Sequence, residues 1–244
     1  MAENLGRVEV LVLPESFALF GDRLGIATLA QHEAKSAELQ RWLAALAERL
    51  QLTLVGGTIA VASNDGRAWA SCFSYGPDGS LLGGYRKIHL FDARVDDTTA
   101  TYRESDDYRP GAQSCVMDAA VGRVGVVVCY DLRFHSLIQA MSNVGVDVIV
   151  VPSAFTLSTG LAHWLPLLRA RAIECQYLIV GANQGGDHAG GRQTSGGSAI
   201  IDAWGTVLAE AWFGEALVMA EWDATAQKTI RQRMPVREHR RHLD

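Results

Sequence analysis

The sequence predicts a layered α/β fold in which a mixed sheet, or two stacked sheets, is covered by helices. In the middle of the chain, apolar strand segments alternate with helical ones, as residues 124–129 do with residues 134–144. Hairpin-like strand pairs lie to either side, and Asn64-Asp65-Gly66 is a turn of the kind that joins such a pair. Both patterns are typical of sheets buried between helical layers.

The first half of the chain supplies most of the hairpins. Residues 8–13 predict a buried strand, which Pro14 ends because proline cannot donate to a ladder. Apolar side chains spaced among charges predict a helix within residues 33–50. Three strands and then a long polar loop, whose length favours a functional role, follow at residues 54–62, 68–75, 81–90 and 92–111.

The second half repeats the strand-then-helix unit. Residues 146–152 predict a central strand, and residues 162–175 predict the helix that follows it. Further strands are predicted at residues 177–182, 197–202, 207–210 and 217–222. No internal repeat or linker interrupts these elements, so residues 1–244 are interpreted as a single domain.

The composition narrows the class of protein. With 48% hydrophobic and 20% charged residues, the chain resembles a soluble globular enzyme. Its net charge of −5 and scattered basic residues argue against nucleic acid as a partner. No segment approaches the roughly 18 to 20 apolar residues of a membrane span, and the first residues lack a secretory pattern. We therefore expect a cytoplasmic protein without a membrane partner.

The four cysteines give no indication of a metal site or a disulfide framework. They form no C-x-x-C pair, and no histidine stands at the spacing of a zinc ligand. A reducing cytoplasm keeps such thiols free. We expect no metal and no organic cofactor.

Cys129 stands where apolar β-formers give way to the polar residues 130–134. A strand end can hold a side chain rigidly at the edge of a cleft, as a nucleophile elbow does. A free cysteine on its own, however, usually packs as a small hydrophobe. The position therefore indicates a nucleophile only if suitable ionisable partners converge on it.

Two ionisable residues near the ends of other strands are candidate partners. Glu15 comes directly after the first strand, where it could also be a helix cap or a surface acid. Lys87 lies in an apolar frame, where it could also be a surface lysine with a buried stem. A carboxylate can take the proton of a thiol, and an ammonium can stabilise a tetrahedral oxyanion. The backbone N–H of Tyr130 is a second candidate oxyanion donor.

Three motifs resemble those of the nitrilase superfamily of carbon–nitrogen hydrolases. They are LPE at residues 13–15, YRKIHLFD at residues 85–92 and CYDLRF at residues 129–134. The resemblance implies that Glu15 is the general base, that Lys87 stabilises the tetrahedral intermediate and that Cys129 forms a thioester. It also implies that Glu104 positions the substrate or Lys87.

The resemblance further implies a four-layer αββα sandwich that assembles into a homodimer or a larger homo-oligomer. The segments after residue 152 are most similar to the Nit branch, which includes deaminated-glutathione amidases and ω-amidases. The expected reaction is cleavage of a small linear amide with release of ammonia, most similar to that of a deaminated-glutathione amidase. ω-Amidase activity, nitrile hydrolysis by the same residues and a non-catalytic binding protein or scaffold are the alternatives.

Five residues are assigned to substrate binding. Arg133 could meet a substrate carboxylate or pair with an acid of the protein. His163 could line the pocket, but a histidine at a helix start is more often structural. The full set is Tyr130, Arg133, Phe155, His163 and Trp164.

The chain departs from the family pattern at its start. Members usually open with a strand and a long helix before the strand that leads to the glutamate, whereas here about ten residues precede that strand. The usual first strand and helix are therefore expected to be lacking. His135 and Ser136 replace a common proline and glutamate, which bears on substrate choice.

Overall fold

The structure is a computed structural model and describes residues 8–20, 23–97 and 99–241. None of the helices in these ranges is long and apolar enough to cross a membrane. The prediction that the usual first strand and helix are lacking concerns the chain ahead of residue 8, outside the described residues, and it stays a prediction.

The first sheet has five strands, and its outer edge is the strand that leads to Glu15. The first two strands run parallel, the third and fourth form a hairpin, and the fifth pairs with the fourth. A small hairpin follows the sheet. The strands are β1 Val10–Val12, β2 Thr53–Val55, β3 Ile59–Ala62, β4 Ala68–Tyr75, β5 Leu81–Arg86, and the hairpin β6 Asp92–Arg94 and β7 Thr101–Arg103.

The second sheet has six strands with three parallel strands at its centre. Its strands, and a separate hairpin of β12 and β13, are β8 Cys115–Ala119, β9 Gly122–Val126, β10 Val148–Ser153, β11 Leu178–Asn183, β12 Gly185–Asp187, β13 Gln193–Ser195, β14 Ser198–Ile201 and β15 Val207–Ala211. The order is β15-β14-β11-β10-β9-β8, with β9, β10 and β11 parallel and the outer pairs antiparallel.

Helices complete the layers. Six of them are α1 Arg23–Ser36, α2 Glu38–Leu50, α3 His135–Ala140, α4 Leu165–Cys175, α5 Ala224–Arg233 and α6 Val236–His239. A single helical turn at Leu157–Thr159 and a π-helix at Gly160–Trp164 lead into α4, and 3₁₀ turns lie at Glu104–Asp106, Cys129–Arg133, Met141–Val144 and Ala189–Gly191.

The core lies mainly between the two sheets. Tyr85 of the first sheet joins one buried cluster with Val126 and Val150 of the second. Leu43 of α2 packs on the opposite face of the first sheet against Leu54. The helix α4 contributes further buried side chains to the central cluster. These layers confirm the predicted αββα sandwich.

The helix predicted within residues 33–50 is two helices. Ala37 separates them in a left-handed conformation with φ 48°. The buried carboxylate of Glu33 accepts hydrogen bonds from the backbone N–H groups of Leu39 at 3.1 Å and Gln40 at 3.0 Å. Because the first N–H groups of a helix lack partners within it, this side chain stabilises the start of α2.

The strand predicted at residues 217–222 is also absent from this structure. Among the described residues this segment pairs with no neighbouring strand. Residues with a high β-strand propensity form a strand only where a neighbouring strand and a packed face are present.

Gly57 fixes the approach of the β2–β3 turn to the segment that carries Glu15. Its φ is +60°, and a Cβ atom there would overlap the backbone oxygen of Pro14. In addition, the Ser16 N–H donates to the Thr58 hydroxyl at 2.8 Å. Only glycine combines this conformation with this close contact.

We expect Gly57→Ala to lower the free energy of unfolding more than Gly66→Ala does. Gly66 also has a positive φ, +87°, but has nothing within 4 Å of its added Cβ. The control should lose about 1 to 2 kcal/mol from the backbone conformation, and Gly57→Ala should lose about 1 to 3 kcal/mol more from overpacking. Urea unfolding measures both, and equal losses would contradict the proposed contact.

Candidate active site

Three of the four predicted catalytic side chains follow strands of the two large sheets, and Glu104 directly follows β7 of the small hairpin. Glu15 lies three residues after β1, Lys87 directly after β5, and Cys129 three residues after β9. Strands β9, β10 and β11 are parallel, so their carboxyl ends meet at one edge. Such an edge is where open α/β sheets present functional groups.

Lys87 forms the centre of a buried ion cluster. Its Nζ atom donates to Glu15 Oε1 at 2.8 Å and to both carboxylate oxygens of Glu104 at 2.9 Å. The backbone N–H of Phe91 also donates to Glu104 Oε2 at 2.6 Å. Lys87 and Glu15 are only 2% and 6% exposed. The structure thus brings Glu15, Lys87 and Glu104 together.

Burial and charge oppose each other at Lys87. Burial lowers the pKa of its ammonium, but the carboxylates of Glu104 and Glu15 outweigh that effect and hold the pKa well above its ordinary value. Burial raises the pKa of Glu104, and the charge of Lys87 counteracts this rise. Lys87 therefore stays a cation in a site that water hardly reaches.

Cys129 opens the turn after β9 in a strained conformation. Its φ is +49°, in the left-handed region that non-glycine residues rarely adopt. Such values concentrate at functional sites, where the surrounding structure must enforce them. The turn expected from the sequence at this strand end is thus present.

Asp131 holds this turn in place, and the sequence interpretation missed it. One carboxylate oxygen accepts from the Val128 N–H at 3.0 Å and from the Tyr85 hydroxyl at 2.7 Å. The other accepts from the His89 N–H at 2.9 Å and contacts the His89 ring nitrogen Nδ1 at 2.7 Å. Asp131 is fully buried and ties the segment around Lys87 to the segment around Cys129. It positions both.

The Cys129 thiol favours its protonated form. Burial raises its pKa well above the ordinary value, and the negative charge of Glu15 raises it further. The ammonium of Lys87 and the backbone N–H of Ala154 act in the opposite direction. Because the raising effects win, the thiol needs a base at the moment it attacks.

A narrow pocket of about 20 Å³ opens beside the sulfur. Three of the predicted substrate-binding residues line it: Tyr130, Arg133 and Phe155. Four lining residues were not assigned from the sequence, namely Phe91, Ala154, Thr156 and Thr159. Only their position in the sequence could have indicated a place in the pocket. Phe91 lies shortly after Lys87, and the other three residues follow β10.

Arg133 reaches over the pocket without an acidic partner. Its guanidinium carbon lies 5.7 Å from the centre of the Tyr130 ring and 5.4 Å from that of Phe155. Its Nη2 atom is 3.3 Å from Nδ1 of His163. Within the described ranges no carboxylate lies at ion-pair distance from it. His163 therefore adjoins Arg133 and does not itself line the pocket.

Trp164 contradicts its predicted role in substrate binding. Its side chain is fully buried, and its indole N–H donates to the Gly197 carbonyl at 2.6 Å. It packs closely against Gly181 of β11. The π-helical turn directs this ring into the core behind the pocket, although the neighbouring His163 is exposed.

No cluster of three or more His, Cys, Asp or Glu side chains suited to a metal ion occurs in the part of the chain that the structure describes. The four cysteines are free thiols.

The family model for carbon-nitrogen hydrolases matches residues 1–231. The chain belongs to the carbon-nitrogen hydrolase family. A deaminated glutathione amidase of Yersinia enterocolitica is 38% identical over 97% of this chain and 83% of its own length. Omega-amidase NIT2-B of Xenopus laevis is 35% identical over 96% of this chain and 83% of its own length.

The same family relationship appears in a solved structure. The NitFhit protein of C. elegans is 34% identical and superposes with a TM-score of 0.89 over 99% of this chain. The chain spans 59% of that longer protein. This carbon-nitrogen hydrolase thus has the fold of the nitrilase superfamily, and its amidase-named relatives support hydrolysis of an amide C–N bond.

The Glu15→Gln variant should have a Cys129 thiol with a lower pKa than the wild type. The carboxylate of Glu15 raises the thiol pKa, so removing its charge favours the thiolate at a given pH. We expect the pH midpoint of Cys129 alkylation by iodoacetamide to fall by about one unit or more. Peptide mass spectrometry follows this residue separately from the other three cysteines.

The matched control is Glu48→Gln, an exposed acid on α2. Its midpoint should equal that of the wild type. A Glu15→Gln midpoint that is unchanged or higher would show that Glu15 does not act on the thiol.

Proposed function

We propose that this enzyme hydrolyses the C–N bond of a small linear amide through a Cys129 thioester, with a substrate of the deaminated-glutathione type. The amine of that bond is released, which is ammonia where the amide is primary. The observation that carries this proposal is the buried contact of Lys87 with Glu15 and Glu104 beside the strained Cys129 turn. A base, an oxyanion partner and a nucleophile are thereby available in one site.

In the acylation step, Glu15 takes the thiol proton while Cys129 Sγ attacks the amide carbon. The developing oxyanion is stabilised by Lys87 Nζ and the Tyr130 N–H. One well-placed donor lowers the activation free energy by roughly 3 to 4 kcal/mol. Glu15 then protonates the leaving nitrogen, the C–N bond breaks and the amine leaves, as ammonia where the amide is primary. Glu104 touches no reacting atom and acts by orienting Lys87.

In the deacylation step, Glu15 takes a proton from water and the resulting hydroxide attacks the thioester. The C–S bond breaks, the carboxylic acid product forms and Sγ regains a proton. The same carboxylate thus serves as base twice and as acid twice. The elevated thiol pKa fits this scheme because it makes the sulfur a good acceptor of that proton.

Arg133 supports a substrate that carries a carboxylate some distance from its amide. The guanidinium is held by two aromatic rings at the pocket and has no acidic partner among the described residues. A carboxylate can pair with such a group through two hydrogen bonds. The amidase relatives support the same substrate class, and the higher identity to the deaminated glutathione amidase favours that type over an ω-amidase.

Two further features belong to the proposal. The enzyme acts in the cytoplasm, where a reducing environment keeps Cys129 free. It assembles as a homodimer or a larger homo-oligomer, as the family resemblance implies.

The direct test is release of cysteinylglycine from deaminated glutathione, with ammonia release from an α-keto acid ω-amide and from a small nitrile measured alongside. We expect release from the first substrate by the wild type and a loss of about 10⁴-fold or more with Cys129→Ala, since no other nucleophile is in place. The control is Cys175→Ala, a buried thiol at the end of α4.

Equal release by the wild type and Cys129→Ala would overturn the mechanism. Preference for the keto-acid amide or the nitrile would overturn the substrate assignment. Inactivity towards all three, with Cys129 inert to electrophiles, would favour a binding protein.

Arg133→Gln should raise KM for a carboxylate-bearing amide by about 10- to 100-fold, because a charge-assisted hydrogen bond is lost. The KM for propionamide, which has no carboxylate, should stay within about twofold of the wild type, so steady-state kinetics on both amides separates the two effects. The matched control is Arg109→Gln, an arginine that lies over Trp69 away from the pocket. A similar rise for both amides would assign Arg133 a structural role.

A further inference from the structure

A second arginine without an acidic partner lies near the active site, outside the narrow pocket. The guanidinium carbon of Arg192 is 5.0 Å from the centre of the Phe20 ring and 5.1 Å from that of the Tyr102 ring. Along the part of the chain that the structure describes, no carboxylate lies at ion-pair distance from Arg192. Its side chain is half-buried. Arg192 has no role in the acylation and deacylation steps described above.

Two acids of the hairpins beside Arg192 are bonded to other side chains. Asp97 Oδ2 accepts the Tyr102 hydroxyl at 2.7 Å, and Asp187 Oδ1 accepts from the Gln193 side-chain amide at 2.8 Å. A guanidinium presents several N–H donors in one plane, which match the two oxygens of a carboxylate. Arg192 is therefore available to an anion that comes from outside the protein.

The hairpin of β12 and β13 holds Arg192 in place. Its strands pair at three positions. The His188 ring packs on Phe20 with ring centres 4.1 Å apart, and its Nε2 atom is 2.6 Å from the Thr194 hydroxyl. Burial lowers the pKa of His188 and the charge of Arg192 lowers it further, so this imidazole is neutral near pH 7. The positive charge at this place thus belongs to a guanidinium that two aromatic rings already orient.

A row of three aromatic rings joins Arg192 to the narrow pocket. The ring of Phe91, which lines that pocket, has its centre 5.1 Å from that of Tyr102 and 5.1 Å from that of Tyr130. Arg192 lies over Tyr102 at one end of the row, and Arg133 lies over Tyr130 at the other. Each of the two steps from Phe91 to Arg192 is 5.1 Å, so the guanidinium is at most about 10 Å from the Phe91 ring.

Backbone contacts connect Arg192 to the opposite wall of the same pocket. Strand β13 begins directly after Arg192, and its Thr194 forms a β-bridge with Thr156. The Ser195 N–H donates to the Phe155 carbonyl at 3.0 Å. Phe155 and Thr156 both line the narrow pocket. Two independent sets of contacts therefore place Arg192 beside the entrance to this pocket.

The narrow pocket holds only a small part of a substrate of the proposed type. Its volume of about 20 Å³ is room for about one water molecule. Deaminated glutathione has an acyl part and a leaving part, and each part ends in a carboxylate. The molecule is about three residues long, so its carboxylates are up to about 11 Å apart when it is extended. Such a substrate therefore extends beyond the pocket and brings two anions to the site.

We propose that Arg192 binds the carboxylate of the leaving part of this substrate, while Arg133 binds that of the acyl part. The inference rests on the proposed function. Arg133 lines the pocket beside the Cys129 sulfur, where the acyl carbon lies when the thioester forms, whereas Arg192 lies beyond Phe91. The ω-amide of α-ketoglutarate has the same acyl part but releases only ammonia. Arg192 is therefore the residue that distinguishes deaminated glutathione from this ω-amide.

The test compares Arg192→Gln with the wild type on both substrates. We expect kcat/KM for deaminated glutathione to fall about tenfold, because a charge-assisted hydrogen bond to the leaving part is lost. For the ω-amide of α-ketoglutarate, kcat/KM should stay within about twofold of the wild type. Both substrates form the same thioester, so the difference arises before that intermediate. Steady-state release of cysteinylglycine and of ammonia measures the two reactions.

Two controls separate recognition of the carboxylate from general attraction of anions. Arg94→Gln removes an exposed arginine of β6 and should leave both substrates within about twofold of the wild type. Deaminated glutathione with its terminal carboxylate converted to a carboxamide should be about tenfold poorer for the wild type, since that charge-assisted bond is absent. Arg192→Gln should change kcat/KM for this analogue by no more than about twofold.

The outcomes distinguish this inference from the proposed function. An equal loss on both substrates would assign Arg192 a structural role, and no loss on either would show that it does not contact the leaving part. Either result overturns the inference and leaves the proposed function intact. Inactivity of the wild type on both substrates would overturn the proposed function and the inference together.

Discussion

The rest of the site depends on the ammonium of Lys87 held between two buried carboxylates. An isolated charge in this position would be very costly, and each carboxylate alone would be too. Glu15, Lys87 and Glu104 come from three separate segments, so none can be buried favourably until all three have met. The two carboxylates and the one ammonium leave a net negative charge. Burial, and after it the negative charge of Glu15, raises the pKa of the Cys129 thiol, so the proton stays on the sulfur at rest.

Asp131 links the segment that carries Lys87 to the turn that carries Cys129. Its carboxylate bonds to Tyr85 and His89, on either side of Lys87, and to the N–H just ahead of Cys129. The left-handed conformation of Cys129 is unfavourable by itself. The hydrogen bonds of Asp131 hold the turn in this conformation. The distance from sulfur to base is thus set by buried hydrogen bonds between the two sheets, and a displacement of about 1 Å can cost a hundredfold in rate.

The sequence predicts the parts of this site that lie at strand ends. Glu15 and Cys129 each follow an apolar run and Lys87 lies in an apolar frame, so their convergence is a consequence of sheet topology. Glu104 lies in a polar loop without periodicity, and family resemblance alone indicated it. The role of Asp131 was not predicted, because three of its four contacts are with Tyr85 and His89, which are distant in sequence. The prediction that Trp164 binds substrate was wrong, because the π-helical turn directs this side chain into the core. The prediction of a strand at residues 217–222 was wrong, because a strand forms only beside a neighbouring strand.

Glu15 is carried by a short strand, and contacts from other segments restrain the backbone beyond it. β1 is three residues long, pairs with β2 and leads within three residues to Glu15. The Gln184 side chain donates to the Glu15 carbonyl at 3.1 Å, and the Ser16 N–H donates to the Thr58 hydroxyl at 2.8 Å. Gln184 directly follows β11 of the second sheet, so both sheets restrain the base. The geometry of proton transfer between Glu15 and Cys129 therefore depends on how the two sheets pack together.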